Sequence, residues 1–308
     1  MSMKLSIVIP VFNEENNIIP LLEKLVPVVS KYDYEIIFVN DGSRDQTVNV
    51  IKTSAKNNKR IKLLSFNRNF GHQIALVAGY EIASGDAIVS MDADLQDPPS
   101  VIPEMIKKWE NGAKIIYGKR QKRDVDSIFK KRTAEFFYRF INSLSDSNIP
   151  ENVGDFRLID REVVGFLTSL SEHAPFLRGL VAWSGFPEDF VYFERAKRNS
   201  GKTHYSVSKM LNFALDGITS FSIKPLRIAT YMGFLTASFG FLGILYAIIG
   251  KFLLPIPWVT GWTGLFVGVM FIGGVQLITI GIIGEYISKI YIEVLNRPHY
   301  LVKERINI

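Results

Sequence analysis

Residues 5–41 read LSIVIPVFNEENNIIPLLEKLVPVVSKYDYEIIFVND. An apolar run from Leu5 to Phe12 is followed by a segment with helical spacing from Asn17 to Ser30, and then by a second apolar run from Glu35 to Val39. Short runs rich in Ile and Val on either side of a helix are typical of buried parallel strands joined by a crossover helix. This stretch therefore predicts a βαβ unit and an α/β fold.

The alternation of strand and helix signals continues as far as residue 120. Further short apolar runs extend from Ile61 to Phe66, from Ala87 to Met91 and from Lys114 to Tyr117, and the segment from Gln73 to Ala83 has helical spacing. We predict a Rossmann-like domain with a mostly parallel sheet and helices on both faces. In such a sheet, ligands bind beyond the carboxyl ends of the strands.

Composition narrows the possible chemistry. The chain of 308 residues contains no Cys, which excludes disulfides, zinc-thiolate sites and cysteine nucleophiles. Any bound metal must use oxygen or imidazole ligands. The net charge of +6 suits anionic lipid, phosphorylated substrates or nucleic acid, and it is also typical of a membrane protein with basic cytoplasmic edges. Net charge alone is weak support for nucleic acid binding, so we expect no nucleic acid partner.

Two long uncharged segments, from Ile228 to Gly250 and from Gly264 to Gly284, lie near the C-terminus. Because about 20 helical residues cross the hydrocarbon layer, we predict two transmembrane helices at 228–250 and 264–287. The alternative is a pair of buried core helices, which seldom run this long without a polar residue. We expect a catalytic domain in residues 1–227 and a membrane domain with a short tail in residues 228–308.

The basic residues predict the orientation of these helices. Only Lys251 lies between the two segments, whereas the flanking basic residues are Lys224, Arg227, Lys289, Arg297, Lys303 and Arg305. Basic loops are retained in the cytoplasm. We therefore expect an integral membrane protein whose catalytic domain and both termini are cytoplasmic.

Two further segments bear on the membrane. The basic stretch from Lys119 to Arg139 leads into an aromatic helix signal, AEFFYRFI, and the segment from Leu211 to Ser222 repeats the pattern beside the first predicted span. Each segment could be a helix in the membrane interface or an ordinary amphipathic helix on the domain surface. Exposed aromatic helices would also let copies of the chain associate as a homo-oligomer.

Polar clusters follow four of the predicted strands, and they begin at Asn13, Asn40, Asn67 and Asp92. In the last cluster, Asp92 and Asp94 are two residues apart and so leave an extended strand on the same side. Two such carboxylates can hold Mg²⁺ or Mn²⁺, which shares its other positions with substrate phosphates and water. Such an ion would stabilise the charge that develops on a departing diphosphate.

Five motifs together carry a specific resemblance to a known family, and they are PVFNEE (10–15), VNDGSRDQT (39–47), NRNFGHQIALVAGYEIASGD (67–86), MDADLQDPP (91–99) and GDFRLIDR (154–161). The set resembles the family 2 inverting glycosyltransferases. It is most similar to the polyisoprenyl-phosphate glycosyltransferases, the group that contains bactoprenol glucosyltransferases and dolichyl-phosphate mannose synthases. The match extends over nearly the whole chain. It implies a glycosyltransferase A-type domain, a nucleotide sugar donor, a polyprenyl phosphate acceptor and a Mg²⁺ or Mn²⁺ cofactor.

The resemblance also implies roles for individual residues. The residues that would line the nucleoside pocket are Pro10, Phe12, Glu14 and Asp41. The residues that would lie at the metal are Asp92, Asp94 and Gln96, with Asp92 also contacting the nucleotide. The residues that would bind the acceptor phosphate are Lys119, Arg120 and Arg132, and Arg157 would also contact substrate. Asp155 matches the acidic position near the reacting centre, where it and Asp94 would be the catalytic residues.

The loop from Arg198 to Tyr205 departs from the family pattern. That pattern usually reads Arg, two residues, Gly, a small hydroxyl residue, Lys and Tyr, but here His204 stands where the Lys is expected and Lys202 precedes Thr203. Arg198 and Lys202 remain the candidates for substrate contacts in this loop. The departure leaves open which substrate they would contact.

The acceptor determines the expected mechanism. A phosphate monoester has a second pKa of about 6 and arrives largely ionised. It therefore has less need of a strong general base, and Asp155 is open between a base and an orienting group. A single displacement would invert the anomeric carbon and give a β product. By resemblance UDP-glucose is the first choice of donor, with UDP-N-acetylglucosamine, UDP-galactose and GDP-mannose as alternatives.

Other functions have weaker support in the sequence. A processive polysaccharide synthase would require a Gln-X-X-Arg-Trp motif that the chain does not contain, whereas a membrane scaffold that only binds sugar nucleotides stays open. A phosphate-binding loop ending at Thr203 would need Gly rather than Ala196 as its opening residue. The first strand is not followed by the glycine pattern of a dinucleotide oxidoreductase. His72, at the start of a predicted helix, is expected to be structural.

Overall fold

The computed structural model describes residues 3–120, 150, 153–170, 172, 175–194, 224–252 and 261–308. These residues form two compact units. The first contains the described residues up to 194 together with residues 297–308, and the second contains the helices between residues 224 and 296.

The first unit is built on an eight-stranded sheet whose strands are β1 (Lys4–Val11), β2 (Asp33–Asn40), β3 (Ile61–Phe66), β4 (Ala87–Ser90), β5 (Ile115–Arg120), β6 (Val153–Asp160), β7 (Glu188–Phe193) and β8 (Val302–Ile306). Their order is β7-β5-β6-β4-β1-β2-β3-β8. Strands β1 to β4 are parallel to one another, and β5 is parallel to β7. Only β6 and β8 run antiparallel to their neighbours.

Helices cover both faces of this sheet, and those of the first unit are α1 (Ile18–Val29), α2 (Thr47–Asn57), α3 (His72–Ile82), α4 (Ile102–Glu110), α5 (Arg161–Ser169) and α6 (Leu177–Trp183). The core between the sheet and helices α1, α2 and α4 includes Leu5, Ile7 and Ile9. Helix α3 packs against β1 and β2 on the other face. A Cβ atom at Gly79 of α3 would lie 2.2 Å from a Val8 methyl, so this close packing requires glycine.

A buried carboxylate ties the strands together at the edge of the sheet where β1 and β2 begin. Glu35 is 2% exposed and accepts hydrogen bonds from the Ser6 hydroxyl, from the Ser84 backbone N–H and from Lys62 Nζ at 2.7 Å. Burial by itself would raise the pKa of Glu35, but these partners lower it to about 2. The ionised carboxylate therefore stabilises the folded sheet at neutral pH.

The predicted strands and their mostly parallel arrangement are confirmed, but three strands were not predicted. Strands β6 and β7 lie beyond residue 120, outside the part of the chain for which strands were predicted. The third is β8, in the tail that was expected to belong to the membrane domain. Residues 302–306 instead extend the sheet beside β3, because Val302, Glu304 and Ile306 alternate in the manner of a half-buried edge strand.

The second unit consists of the two long helices α7 (Lys224–Phe252) and α8 (Trp262–Val294). Within the described part of the chain, the stretch from Gly268 to Val294 in α8 is the one found to be long and apolar enough to cross a membrane, by length and composition. This stretch ends at Val294, beyond the predicted end at residue 287. Large apolar side chains are exposed along both helices, among them Tyr231, Phe234 and Leu277.

Candidate active site

The loops that follow β1 and β2 are joined by hydrogen bonds at the carboxyl edge of the sheet. Asn13 has a φ of 56°, donates its backbone N–H to the Ser43 hydroxyl (2.9 Å) and accepts the Arg44 N–H at its side-chain oxygen (2.9 Å). The Glu14 N–H is donated to the Thr47 hydroxyl (2.8 Å). Two of the polar clusters predicted at the strand ends therefore meet in one rim.

Asp41 ties this rim to the loop before α3. It is 4% exposed, and its two carboxylate oxygens accept the N–H groups of Phe70 (2.6 Å) and Gly71 (3.0 Å). Burial raises the pKa of Asp41 in spite of these hydrogen bonds. Gly42 has a φ of 74°, and a Cβ there would lie 2.5 Å from the Arg68 carbonyl carbon. Both oxygens of Asp41 are thus used to hold the loop of residues 67–71.

The predicted metal ligands lie in a tight turn directly after β4. Asp94 Oδ1 accepts the Gln96 N–H (3.1 Å), and Leu95 has a φ of 62°. A left-handed Leu is strained, and such strain persists where a site requires it. Burial in the cleft, together with the charges of Asp155 and Asp94, raises the pKa of Asp92 against the opposing charge of His72. A divalent cation would relieve this repulsion, so the turn fits such an ion.

The described residues contain no group of three or more His, Cys, Asp or Glu side chains that could hold a metal by themselves. A cation at the turn would therefore rest on one or two carboxylates and take its remaining oxygens from phosphates and water. That arrangement is the usual one for Mg²⁺ in enzymes that act on nucleotides.

Asp155 on β6 is the centre of a buried ionic cluster. Its side chain is 6% exposed and accepts hydrogen bonds from Arg157 Nη2 (2.8 Å), from Arg178 Nη2 (2.9 Å) and from Arg178 Nε (3.2 Å). His72 Nε2 lies 3.4 Å from the same carboxylate. Burial would raise the pKa of Asp155, but the hydrogen bond from His72 and the two guanidinium charges hold it well below its usual range. The carboxylate is therefore a weak base.

His72 connects the Asp155 cluster to the Asp92 turn. Its Nε2 atom is 3.6 Å from Asp92 Oδ1, as well as 3.4 Å from Asp155. Burial opposes a charged imidazole, but the hydrogen bond to Asp155 and the charge of Asp92 raise the pKa of His72. The structure thus places His72 in the site and corrects the expectation that this residue is structural. Its position in the motif NFGHQ, at the start of a helix that points at the strand ends, was the available signal.

Two more residues of the cluster were missed in the sequence analysis. Gln73 Nε2 donates to Asp155 (3.4 Å), and its Oε1 accepts the N–H of Leu177 (3.2 Å) at the start of α6. Arg178 follows on the same helix. Neither residue was singled out. Arg178 lies on a short helix 23 residues from Asp155 and Gln73 is 82 residues from it, and no periodic pattern indicates that either would reach this carboxylate.

A cleft of about 480 Å³ opens at the carboxyl ends of β1, β2 and β3. Its lining includes Phe12, Ser43, Arg68, Lys303 and Glu304. Phe12 is 44% exposed, as expected for an aromatic ring that has a face available for stacking. The cleft combines an aromatic side, several amide and hydroxyl groups, and charges of both signs.

The other residues that were predicted to bind substrate have the following surroundings. Pro10 is buried within β1, and the Glu14 carboxylate accepts a hydrogen bond from the Asn17 amide. Arg157 is 0% exposed and donates a hydrogen bond from Nη2 to Asp155. Lys119 lies over the Phe190 ring (4.8 Å). The predicted acceptor and loop residues Arg132, Arg198 and Lys202 lie outside the described residues.

Arg120, also predicted to bind the acceptor, lies beside the Asp92 turn. Its Nη2 atom is 3.7 Å from Asp97 Oδ1, and a Cβ at Gly154 would lie 3.2 Å from the same Nη2. The side chain therefore passes between the turn after β4 and the start of β6. Its charge adds to the cationic surroundings of the site.

Comparison with known proteins identifies this arrangement. The model of the family described as "Glycosyl transferase family 2" matches residues 6–168. The chain belongs to glycosyltransferase family 2. This glycosyltransferase is 47% identical over 305 residues to the SfII prophage-derived bactoprenol glucosyl transferase of Shigella flexneri, covering 98% of both chains. It is 45% identical over 305 residues to the uncharacterized glycosyltransferase YkcC of Bacillus subtilis, covering 98% of this chain and 94% of that one.

Among solved structures, the glycosyltransferase is similar to glucosyl-3-phosphoglycerate synthase from Mycobacterium tuberculosis in complex with Mn²⁺, UDP-glucose and phosphoglyceric acid. The identity is 20%, the TM-score is 0.48, and the match covers 70% of this chain and 78% of that one. The family resemblance inferred from the five motifs is confirmed by the family model and by the two relatives. The protein is an enzyme, which removes the alternative of a non-catalytic scaffold.

Proposed function

We propose that this glycosyltransferase moves a glucosyl group from UDP-glucose to a polyprenyl phosphate, with inversion, at the cytoplasmic face of a membrane. The observation that carries the proposal is the similarity to a protein named bactoprenol glucosyl transferase along 98% of both chains. Similarity that includes the C-terminal helices supports a lipid acceptor, because the catalytic sheet alone would serve a soluble acceptor equally well.

The cleft beside Phe12 is our candidate for the nucleoside of the donor. Its volume of about 480 Å³ lies within the range of small-molecule sites. The exposed Phe12 ring would stack on the base, and Arg68, whose guanidinium lies over the Phe70 ring, also lines the cleft. The backbone held by Asp41 and Gly42 fixes the distance between these two sides.

The diphosphate of the donor would lie at the turn after β4. Asp92 and Asp94 would hold a Mg²⁺ or Mn²⁺ ion there, with Gln96 beside them. When bound, the ion stabilises the negative charge that accumulates on the departing diphosphate. The hydrogen bond from the Gln96 N–H, which orients the Asp94 carboxylate, supports this role.

We assign Asp155 as an orienting group rather than a general base. Its low pKa, which His72 and the two guanidinium groups maintain, makes it a poor proton acceptor. The acceptor phosphate arrives ionised and needs no base. Asp155 would instead fix His72 and Arg178 at the side of the cleft where the acceptor approaches. Lys119, Arg120 and Arg132 would bind the acceptor phosphate, and Arg198 and Lys202 would complete the substrate contacts.

We further propose two membrane spans, α7 and α8, with the catalytic domain and both termini in the cytoplasm. Strand β8, which follows α8 in the chain, lies in the same sheet as β3, so the described residues up to 194 and those after α8 belong to one folded unit. This supports an even number of crossings. A helix of 29 residues is about 43 Å long, which exceeds the hydrocarbon thickness of about 30 Å.

The test is an assay of membranes that contain the enzyme, supplied with polyprenyl phosphate and, in turn, with labelled UDP-glucose, UDP-N-acetylglucosamine, UDP-galactose and GDP-mannose. We expect a β-linked glucosyl lipid from UDP-glucose, and none from membranes that contain Asp94→Ala. Another sugar on the lipid would replace the donor assignment, an α-linked product would exclude inversion, and wild-type membranes without any glycolipid would exclude the acceptor.

A further inference from the structure

The C-terminal tail touches the donor side of the site through Tyr300. The Tyr300 ring stacks on Phe66, with centroids 4.6 Å apart and planes inclined by 26°. Its hydroxyl donates a hydrogen bond to Glu81 on α3 (2.5 Å). The next residue, Leu301, accepts the Asn67 N–H at its carbonyl oxygen (3.0 Å). The tail therefore meets the end of β3 at the point where the loop of residues 67–71 begins.

From Phe66 the contact continues into that loop. The Phe66 and Phe70 rings meet edge to face, with centroids 5.7 Å apart, and the Arg68 guanidinium lies 4.1 Å from the centre of the Phe70 ring. Phe70 also donates its N–H to Asp41. Three aromatic rings thus connect the tail to Arg68, the residue on the opposite side of the cleft from Phe12.

Strand β8 also supplies part of the wall of the cleft. The register between β3 and β8 shifts between Ser65 and Phe66, so that Ser65 pairs with Glu304 and Phe66 with Val302. Lys303 and Glu304 line the cleft, and Glu304 is held by Lys52 Nζ at 2.7 Å. The tail therefore contributes both lining side chains and a support for the loop.

We propose that the tail is a working part of the donor site: Tyr300 is a positioning residue for the loop of residues 67–71, and Lys303 and Glu304 form one wall of the nucleoside cleft. This inference rests on the proposed function, in that the cleft beside Phe12 takes the nucleoside diphosphate. By this inference, the segment after α8 takes part in substrate binding, in addition to joining the membrane helices to the catalytic sheet.

A purely structural role for the tail makes a different prediction. Tyr300 precedes β8, which begins at Val302, so the backbone pairing of the strand does not depend on its side chain. If Tyr300 only stabilised the sheet edge, its loss would lower the unfolding temperature and leave the affinity for each substrate unchanged. If it positions the loop, its loss weakens binding of the donor and leaves binding of the lipid acceptor unchanged.

The experiment uses the full-length enzyme in detergent with three variants. Tyr300→Ala removes both the stack and the hydroxyl, and Tyr300→Phe keeps the stack. Leu301→Ala is the matched control, since that side chain is 52% exposed and Leu301 accepts the Asn67 N–H through its backbone carbonyl, which the substitution keeps. Affinities for UDP and GDP are measured by titration calorimetry. KM is measured separately for the donor that the wild type uses and for polyprenyl phosphate.

The Tyr300–Phe66 stack stabilises the position of the loop, so we expect Tyr300→Ala to raise the donor KM and the Kd for the nucleoside diphosphate by about 3- to 10-fold. The acceptor KM should be unchanged. Tyr300→Phe and Leu301→Ala should remain close to the wild type. Should Tyr300→Ala not fold, Tyr300→Leu, which keeps apolar bulk against Phe66, is read in the same way. Equal effects on donor and acceptor, or no effect on the donor, would overturn the inference.

The proposed function can fail separately. A wild type that binds a nucleoside diphosphate but transfers no sugar to polyprenyl phosphate contradicts only the proposed acceptor, and the Kd comparison between Tyr300→Ala and the wild type still decides the role of the tail. A wild type that binds neither UDP nor GDP would contradict the assignment of the cleft and with it the inference.

Discussion

Replacing Asp155 by Asn is the most direct perturbation of the buried cluster. The substitution keeps the shape of the side chain but removes the charge that Arg157 and Arg178 share at 2.8 and 2.9 Å. Arg157 is 0% exposed, so its guanidinium would be left buried without its charged partner. His72 would lose the stronger of the two interactions that hold it beside the Asp92 turn.

The expected magnitude follows from this burial. Removing one partner of a buried ion pair costs about 3–5 kcal/mol, which for a domain of this size lowers the unfolding temperature by on the order of 10 °C. Displacement of His72 and Arg178 from the reacting centre should also lower kcat by on the order of 100-fold, since moving a catalytic or positioning group by about 1 Å can reduce the rate by that factor.

The assay compares the purified wild type, Asp155→Asn and Asp33→Asn in detergent, by thermal unfolding and by steady-state transfer. Asp33 is the matched control because it forms a pair with Arg60 in which both side chains are 50% exposed, at 4.0 Å. We expect the control to change stability by less than about 1 kcal/mol. An Asp155→Asn enzyme that unfolds at the wild-type temperature and keeps most of its kcat would refute the assignment of Asp155 as the organising charge of the site.

Three further outcomes are expected. Glu35→Gln should lower the free energy of unfolding by about 3 kcal/mol at pH 7, because the pKa of Glu35 falls from the usual 4.5 to about 2 in the folded protein. In urea titrations, this difference from the wild type should shrink as the pH falls from 4.5 towards 2. A difference that does not depend on pH would contradict this expectation. Gly42→Ala should weaken donor binding and stability by at least about 1 kcal/mol, since its φ is 74° and its Cβ would meet the Arg68 backbone; wild-type values in calorimetry and melting would disprove the strain. Asp94→Asn should lose transfer activity, require more Mg²⁺ for what remains and melt at the wild-type temperature, whereas an unchanged Mg²⁺ dependence would exclude Asp94 as a ligand.

The fold of the first 120 residues could be predicted because its signals are local. Five strands and two helices lie within a few residues of their predicted positions, since each apolar run is bounded by polar turns. Strand β8 could not be predicted in the same way. This five-residue segment has only two apolar residues, Val302 and Ile306, and both are half-buried. It becomes a strand because it pairs with the edge of β3, which is distant in the sequence.

The candidate site was predictable where the strand ends carry acidic residues. Asp92 and Asp94 were recognised in this way, whereas Asp155 was recognised only through the family resemblance. The structure brings Asp92 and Asp155 to within 3.6 Å of the same His72 nitrogen. The parts that were missed come from helices. Arg178 and Gln73 reach Asp155 only through the packing of α3 and α6, which periodicity does not specify. For Asp41, no pattern in the sequence showed that its carboxylate would accept the N–H groups of Phe70 and Gly71.

The antiparallel pairing of β3 with β8 also bears on how the protein is made. The Asn307 side chain donates to the Ile61 carbonyl across 246 residues of sequence, and both long apolar helices lie between them. While the ribosome is still producing those helices, β3 has an open edge of the kind that recruits other strands into aggregates. Chains truncated before residue 302 would therefore keep this edge uncovered, and we expect them to aggregate more readily than the chain that contains β8.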